Sequence, residues 1–287
     1  MIRRPLLTLL TLVGVLWRPL TATGNEAMLF SAPLQPGTAV LLTVPGYPAR
    51  SQFTGKLGGK PIPFTADGRA LIALDMESKP GTVALEVTIL SPGGTKTTLG
   101  KKLTIPKRTY QVETLTLPEK KVNPDPADTA RASEESARIR EAYQLRGAHA
   151  GYVDGFRMPV TGRFSGVFGS RRLLNGQMRN PHNGVDIAAP EGTPVVVTAP
   201  GSVALVGENF FFTGNTLVVD HGHGVISLYA HLHDIRVAPG QWLPAGTIVG
   251  TVGMTGRVTG PHLHWGMMVR GERVDPLRLP GIEAQGP

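Results

Sequence analysis

The density of chain-breaking residues narrows the folds open to this chain more than any other feature. It has 36 glycines and 25 prolines, 61 of 287 residues, near a fifth against roughly an eighth in average usage. Few stretches between breakers are long enough for a helix, so many short strands joined by turns are expected. From Met28 to Tyr110 apolar residues alternate in Ala39 to Val44, Ala70 to Leu74, Thr82 to Leu90 and Thr97 to Ile105. The punctuation between them is Pro36-Gly37, Pro45-Gly46, Gly58-Gly59, Asp67-Gly68, Pro80-Gly81 and Pro92-Gly93-Gly94. From Tyr152 onward the strand candidates are Pro194 to Thr198, Gly201 to Val206, Asn215 to Val219, Gly224 to Ala230, Thr247 to Val252 and Pro261 to Arg270.

The expected class is mainly β. Six or seven short strands over residues 28–110 suggest a small sandwich like an immunoglobulin domain. Residues 111–150 change to a charged, alanine-rich connector. After the break Val122-Asn123-Pro124-Asp125-Pro126, Ala127 to Leu145 reads as a helix closed by Gly147. Glu134 and Arg138 sit four apart to support it, and Ile139, Ala142, Tyr143 and Leu145 give it an apolar stripe. Residues 151–280 form a second, antiparallel β domain, and 281–287 a tail. Residues 1–27 read as a signal peptide or membrane anchor: Arg3-Arg4, the apolar run Pro5 to Trp17, then small residues around Thr21-Ala22-Thr23. An uncleaved leader ties the chain to the inner membrane; a cleaved one frees it to the periplasm or the medium.

The absence of cysteine excludes disulfides, a thiolate nucleophile, cysteine-ligated zinc and a lipid anchor on cysteine, but not export. Any metal is held by nitrogen and oxygen. The net charge of +8 is concentrated early, and no lysine follows Lys121. A basic front domain suits an anionic polymer such as cell wall. No basic run with interleaved aromatics appears, so nucleic acid is not an expected partner.

Chemistry concentrates in two stretches, His182-Asn183-Gly184-Val185-Asp186 and His262-Leu263-His264. Residues two apart in a strand share a face, so His262 and His264 can approach one ion or substrate while Leu263 and Trp265 turn to a core. Two histidines and one aspartate make a three-ligand set for a tetrahedral cation with a fourth position left to water. Gly184 and Pro190 argue for a loop or strand end around the first stretch rather than a helix turn. His231 and His233 form a second His-x-His, which spacing alone does not separate from the first.

At these residues the chain resembles the lysostaphin-type, LytM-like zinc endopeptidases that cut peptidoglycan cross-bridges. The matching text is NPHNGVDIAAPEGTPV, LYAHL and GQWLPAGTIVGTVGMTGRVTGPHLHWGMMV, in that order, over roughly Pro159 to Pro276. The resemblance implies a LytM-like peptidase domain over 151–280, one zinc ion held by His182, Asp186 and His264, and two catalytic histidines, His231 and His262. It also decides for His264 over His233. His149 is expected at the surface and His221 and His223 in a solvated turn. Asp220 and Asp234 read as turn residues, and the polar loop Asn175 to Asn180 as a cover near the metal.

The function expected on these grounds is an exported, periplasmic zinc metalloendopeptidase that hydrolyses peptide cross-links of peptidoglycan. No wall-targeting module is recognisable after Pro280, which points to a D-alanyl to diaminopimelyl bond rather than a glycine bridge. The alternative is a non-catalytic wall-binding regulator of another hydrolase. The helical HExxH motif and the GxSxG elbow are both absent.

Overall fold

The computed structural model describes residues 28–115, 125–178 and 180–283; the leader expected over 1–27 lies outside them. Seven strands make the front half: β1 (Leu29–Phe30), β2 (Thr38–Thr43), β3 (Gln52–Leu57), β4 (Lys60–Ile62), β5 (Arg69–Leu74), β6 (Gly81–Leu90) and β7 (Lys96–Ile105). They form two antiparallel sheets, β1-β2-β5 and β4-β3-β6-β7. Val40, Leu42, Ile72, Leu85, Val87 and Ile89 from both sheets share one core. The sandwich expected from the alternation is there, with the fourth strand paired to the third. A constant-type immunoglobulin sheet places that strand beside the fifth.

Strand β5 departs from simple alternation because both of its faces are buried. Ala70 and Ile72 enter the sandwich core, while Leu71 and Ala73 join the core of the second half. An unbroken apolar run is what a doubly covered strand requires. Around this seam Arg273 grips Asp75 with Nη2 at 2.6 Å and Nε at 2.9 Å. Arg108 meets Asp275 at 2.9 Å.

The second half is built on a ten-stranded sheet whose main path runs β17 (Trp242–Leu243), β14 (Gly201–Phe210), β15 (Gly214–Asp220), β16 (Val225–Ile235), β19 (His262–Val269), β12 (Gly184–Ala188), β9 (Arg163–Gly166). Strand β18 (Ile248–Val252) pairs with β16 and with β13 (Pro194–Val196), and β20 (Glu272–Val274) pairs with β19. Leu263, Trp265, Met267 and Val269 of β19 turn to the main core with Tyr152, Leu217 and Tyr229. The alternate positions turn to the opposite face. There Ile226, Leu228 and Ala230 of β16 pack against Ile139 and Ala142 of the helix α1 (Pro126–Ala142) and against its C-cap residue Tyr143.

Helix α1 starts where Asp125 caps it, accepting from Asp128 N, with Pro126 in its first turn. Its ion pair is Arg131 to Glu135 at 2.8 Å; the guanidinium of Arg138 lies instead over Phe210, 5.0 Å from the ring centre. The connector is not purely helical. Strand β8 (Val112–Leu115) runs parallel to β10 (Arg171–Leu174), which forms a hairpin with β11 (Gln177–Met178) through Asn175-Gly176. The polar loop beside the metal motif is therefore a small sheet, tied to the front half by residues expected to be linker. The expected tail also begins late, because Ile282 still packs on the main core.

Candidate active site

Strand register brings the two motifs together. Antiparallel pairing of β12 with β19 sets Asp186 directly opposite His264, and pairing of β19 with β16 sets His264 opposite Ala230. Leu263 and Trp265 fill the core, so His262 and His264 stand on the face that carries helix α1. His182 lies four residues before Asp186, outside the strand. Its backbone N–H donates to Ser170 O at 2.9 Å and its own carbonyl accepts from Gly169 N at 2.8 Å.

Three electron-rich atoms converge. His182 Nε2 is 3.0 Å from Asp186 Oδ1 and 3.0 Å from His264 Nδ1, and His264 Nδ1 is 2.8 Å from Asp186 Oδ1. His182 Nδ1 lies 3.0 Å from the Val167 carbonyl. A carbonyl only accepts, so Nδ1 carries the proton and a neutral ring turns its Nε2 lone pair to the cluster. Three such atoms at these separations repel one another unless they share a cation. Ligands at roughly 2.0–2.1 Å from a tetrahedral zinc stand about 3.3 Å apart, within a few tenths of what is seen. Two imidazoles and one carboxylate suit zinc better than calcium or magnesium, which favour all-oxygen sites.

Burial disfavours ionisation of Asp186, but the imidazoles of His182 and His264 that close on it outweigh burial and hold the carboxyl below the usual range. Burial also lowers the pKa of His264, against the opposing pull of the Asp186 carboxylate. Both results favour a deprotonated ligand set.

Two glycines make room for this set. A Cβ at Gly166, paired with Asp186 across β9, would stand 2.2 Å from Asp186 Oδ2. One at Gly184 would stand 2.4 Å from the Trp265 carbonyl and 2.9 Å from the ring of His264. Gly184 thus stands at a strand end, the second of the two settings expected for it. Gly166 gave no sign in the sequence, since Phe-Ser-Gly-Val carries no motif.

His231 and His262 complete the cleft, their rings 4.8 Å apart. In β16, Ala230 and His231 together face the single residue Thr216, a β-bulge between the Asn215–Leu232 and Leu217–Tyr229 pairs. His231 there has φ of 63°, a conformation costly for a side chain with a Cβ. The bulge is what turns the ring toward β19. His231 Nδ1–H donates to Thr255 O at 2.9 Å, and His262 Nδ1–H to Gly260 O at 2.9 Å. Each neutral ring therefore offers its Nε2 lone pair; that of His262 is 3.9 Å from Asp186 Oδ1. Burial first, then the neighbouring imidazoles His264 and His262, push the pKa of His231 down to about 3, keeping it neutral.

The other histidines serve the fold. His233 is exposed and bonds Glu191 at 2.7 Å, apart from the cluster. His221, expected in a solvated turn, is 0% exposed: its Nδ1 donates to Pro200 O, and the Ser227 hydroxyl bridges its Nε2 and the Tyr229 hydroxyl. The reason is the turn, which folds under the connector. His149, expected at the surface, bonds Asp220 O and stacks edge-on to Trp242, and His223 bonds Tyr152. Asp220 is a buried cap for the N–H groups of Gly147 and Gly222. Asp234 pairs with Thr251 and Arg236.

Comparison with known proteins places this cleft among its relatives. The model of peptidase family M23 matches residues 180–276. The peptidoglycan DD-endopeptidase ShyA of Vibrio cholerae is 42% identical over 125 residues, covering 42% of this chain and 29% of ShyA. The DD-carboxypeptidase/endopeptidase Mpg of Neisseria meningitidis is 40% identical over 117 residues, 41% of this chain and 27% of Mpg. The chain thus spans less than a third of the length of these curated relatives. A crystal structure of a Pseudomonas aeruginosa protein assigned to peptidase M23 superposes with a TM-score of 0.63 at 29% identity, over 86% of this chain and 94% of that one. That likeness reaches beyond the matched segment into the front half. Both converging motifs fall inside the matched segment and the shared architecture extends well past it, so residues 180–276 are identified as a segment similar to peptidase family M23.

Proposed function

We propose that the protein is an exported zinc metalloendopeptidase that hydrolyses peptide cross-links of peptidoglycan, the D-alanyl to diaminopimelyl bond foremost. The observation that carries this reading is the mutual approach of His182 Nε2, Asp186 Oδ1 and His264 Nδ1 beside two imidazoles whose free nitrogens face the same cleft. Relatives bearing the DD-endopeptidase description supply the substrate class.

His182, Asp186 and His264 would hold one zinc ion. Bound there, zinc supplies a Lewis acid for the peptide carbonyl and lowers the pKa of water toward roughly 7. The chain's own part is proton handling and placement. His231 and His262, each with Nδ1–H locked on a backbone carbonyl, keep Nε2 free to take a proton from the attacking water and return it to the leaving amine. Once protonated, either ring can donate a hydrogen bond to the oxygen on which negative charge develops. Val167 O fixes the tautomer of His182, the outer-shell support that orients metal-binding histidines.

The test is digestion of purified sacculi followed by turbidity and muropeptide composition, with and without chelator. Chelator-sensitive loss of cross-linked muropeptides is expected. Metal-loaded protein that leaves sacculi and muropeptides unchanged overturns the reading and favours a regulator of another hydrolase.

A further inference from the structure

Helix α1 lies outside the segment that defines the family, yet it walls the cleft. Ser136, Ile139, Arg140 and Tyr143 recur three and four apart, on one helix face. With Phe212 and Arg257 opposite, they bound a cavity of about 660 Å³ that has His264 in its lining. None of the described lining residues is acidic, and two carry guanidinium groups. Arg257 lies over the Phe212 ring, 4.3 Å from its centre. Arg140 is exposed, and the positions three and four away from it, Ser136, Ala137, Tyr143 and Gln144, offer it no carboxylate of the kind Arg131 finds in Glu135. A groove of one sign of charge between low-dielectric walls concentrates an anionic ligand. A guanidinium fork matches a carboxylate in particular.

We propose that Arg140 is a specificity-determining residue that binds a free carboxylate of the substrate peptide next to the scissile bond. The inference rests on the cross-link peptidase reading above. Diaminopimelic acid, unlike lysine, bears a carboxylate on each of its two amine-bearing carbons, so a D-alanyl to diaminopimelyl cross-link carries an anion one carbon from the nitrogen of the bond to be cut. The α1 wall beside His264 is where this chain offers a cation to meet it.

The experiment uses the metal-loaded full chain and two synthetic cross-linked peptides, one with that carboxylate free and one with it amidated. On the carboxylate peptide, Arg140→Ala raises KM about tenfold, the size of one charge-assisted hydrogen bond at a partly exposed site, with kcat little changed. Amidation costs the wild type the same factor, and the two changes together cost no more than either alone. Arg140→Lys recovers part of the loss, because the charge remains and the fork does not. An Arg140→Ala protein with wild-type KM on the carboxylate peptide overturns the proposal, as does an equal loss on both peptides, which marks a packing role. A wild type that cuts neither peptide nor sacculi instead overturns the reading of the site itself, and this shows before any variant is made.

Discussion

Gly166→Ala is the sharpest perturbation of the proposed metal centre because it changes none of the three residues proposed as ligands. The added methyl would stand 2.2 Å from Asp186 Oδ2, 2.7 Å from Cγ and 2.9 Å from Cβ. Ordinary contact begins near 3.4 Å, so the carboxylate must retreat by about an ångström or β9 must swing away from β12. Misplacement of a reacting group by 1 Å costs on the order of 100-fold in rate, and loss of outer-shell support typically costs about 10- to 100-fold in metal affinity. Zinc affinity measured by competition with a chromophoric chelator is therefore expected to fall by about 100-fold, with sacculus digestion at limiting zinc falling in step. Gly100→Ala in β7 is the control, since a Cβ there meets nothing within 4 Å; it leaves zinc affinity and digestion unchanged. A Gly166→Ala protein that binds zinc and digests sacculi like the wild type would refute the argument that Asp186 must occupy this position.

Three further outcomes are expected. Asp186→Ala or His182→Ala leaves a folded protein, by circular dichroism, that holds no stoichiometric zinc and releases no muropeptides; activity retained by a soluble variant removes those residues from the ligand set. His221, with its pKa lowered to about 4 by burial, stays neutral in the fold while the unfolded chain takes up a proton near pH 6.5. Its contribution is therefore full above pH 6.5 and is lost as the pH falls to about 4, roughly 3 kcal/mol in all; urea melts should show this slope in the wild type and a flatter one in His221→Gln. Arg273→Ala removes the bidentate grip on Asp75 across the seam. It is expected to cost about 2 kcal/mol, seen as a lower Tm or a separate transition of the front sandwich in calorimetry, and an unchanged thermogram would show that the buried Leu71 and Ala73 hold the seam alone.

The sequence by itself determined the class of fold and the chemistry on offer. Breaker density imposed short strands, alternation across β19 separated the His262 and His264 face from the Leu263 and Trp265 face, and the lack of cysteine confined metal binding to nitrogen and oxygen. These are local properties, readable from neighbours in the chain. Spacing could not separate His264 from His233, because two His-x-His pairs are equivalent until register is known. Only the pairing of Asp186 with His264 brings one of them to the cluster, while His233 ends at the surface on Glu191. In the same way, the space Gly166 leaves, the bulge that turns His231, the burial of His221 and the helix wall bearing Arg140 are contacts between residues distant in sequence. They arise when strands and helix pack in three dimensions, and no single stretch of the chain contains both partners.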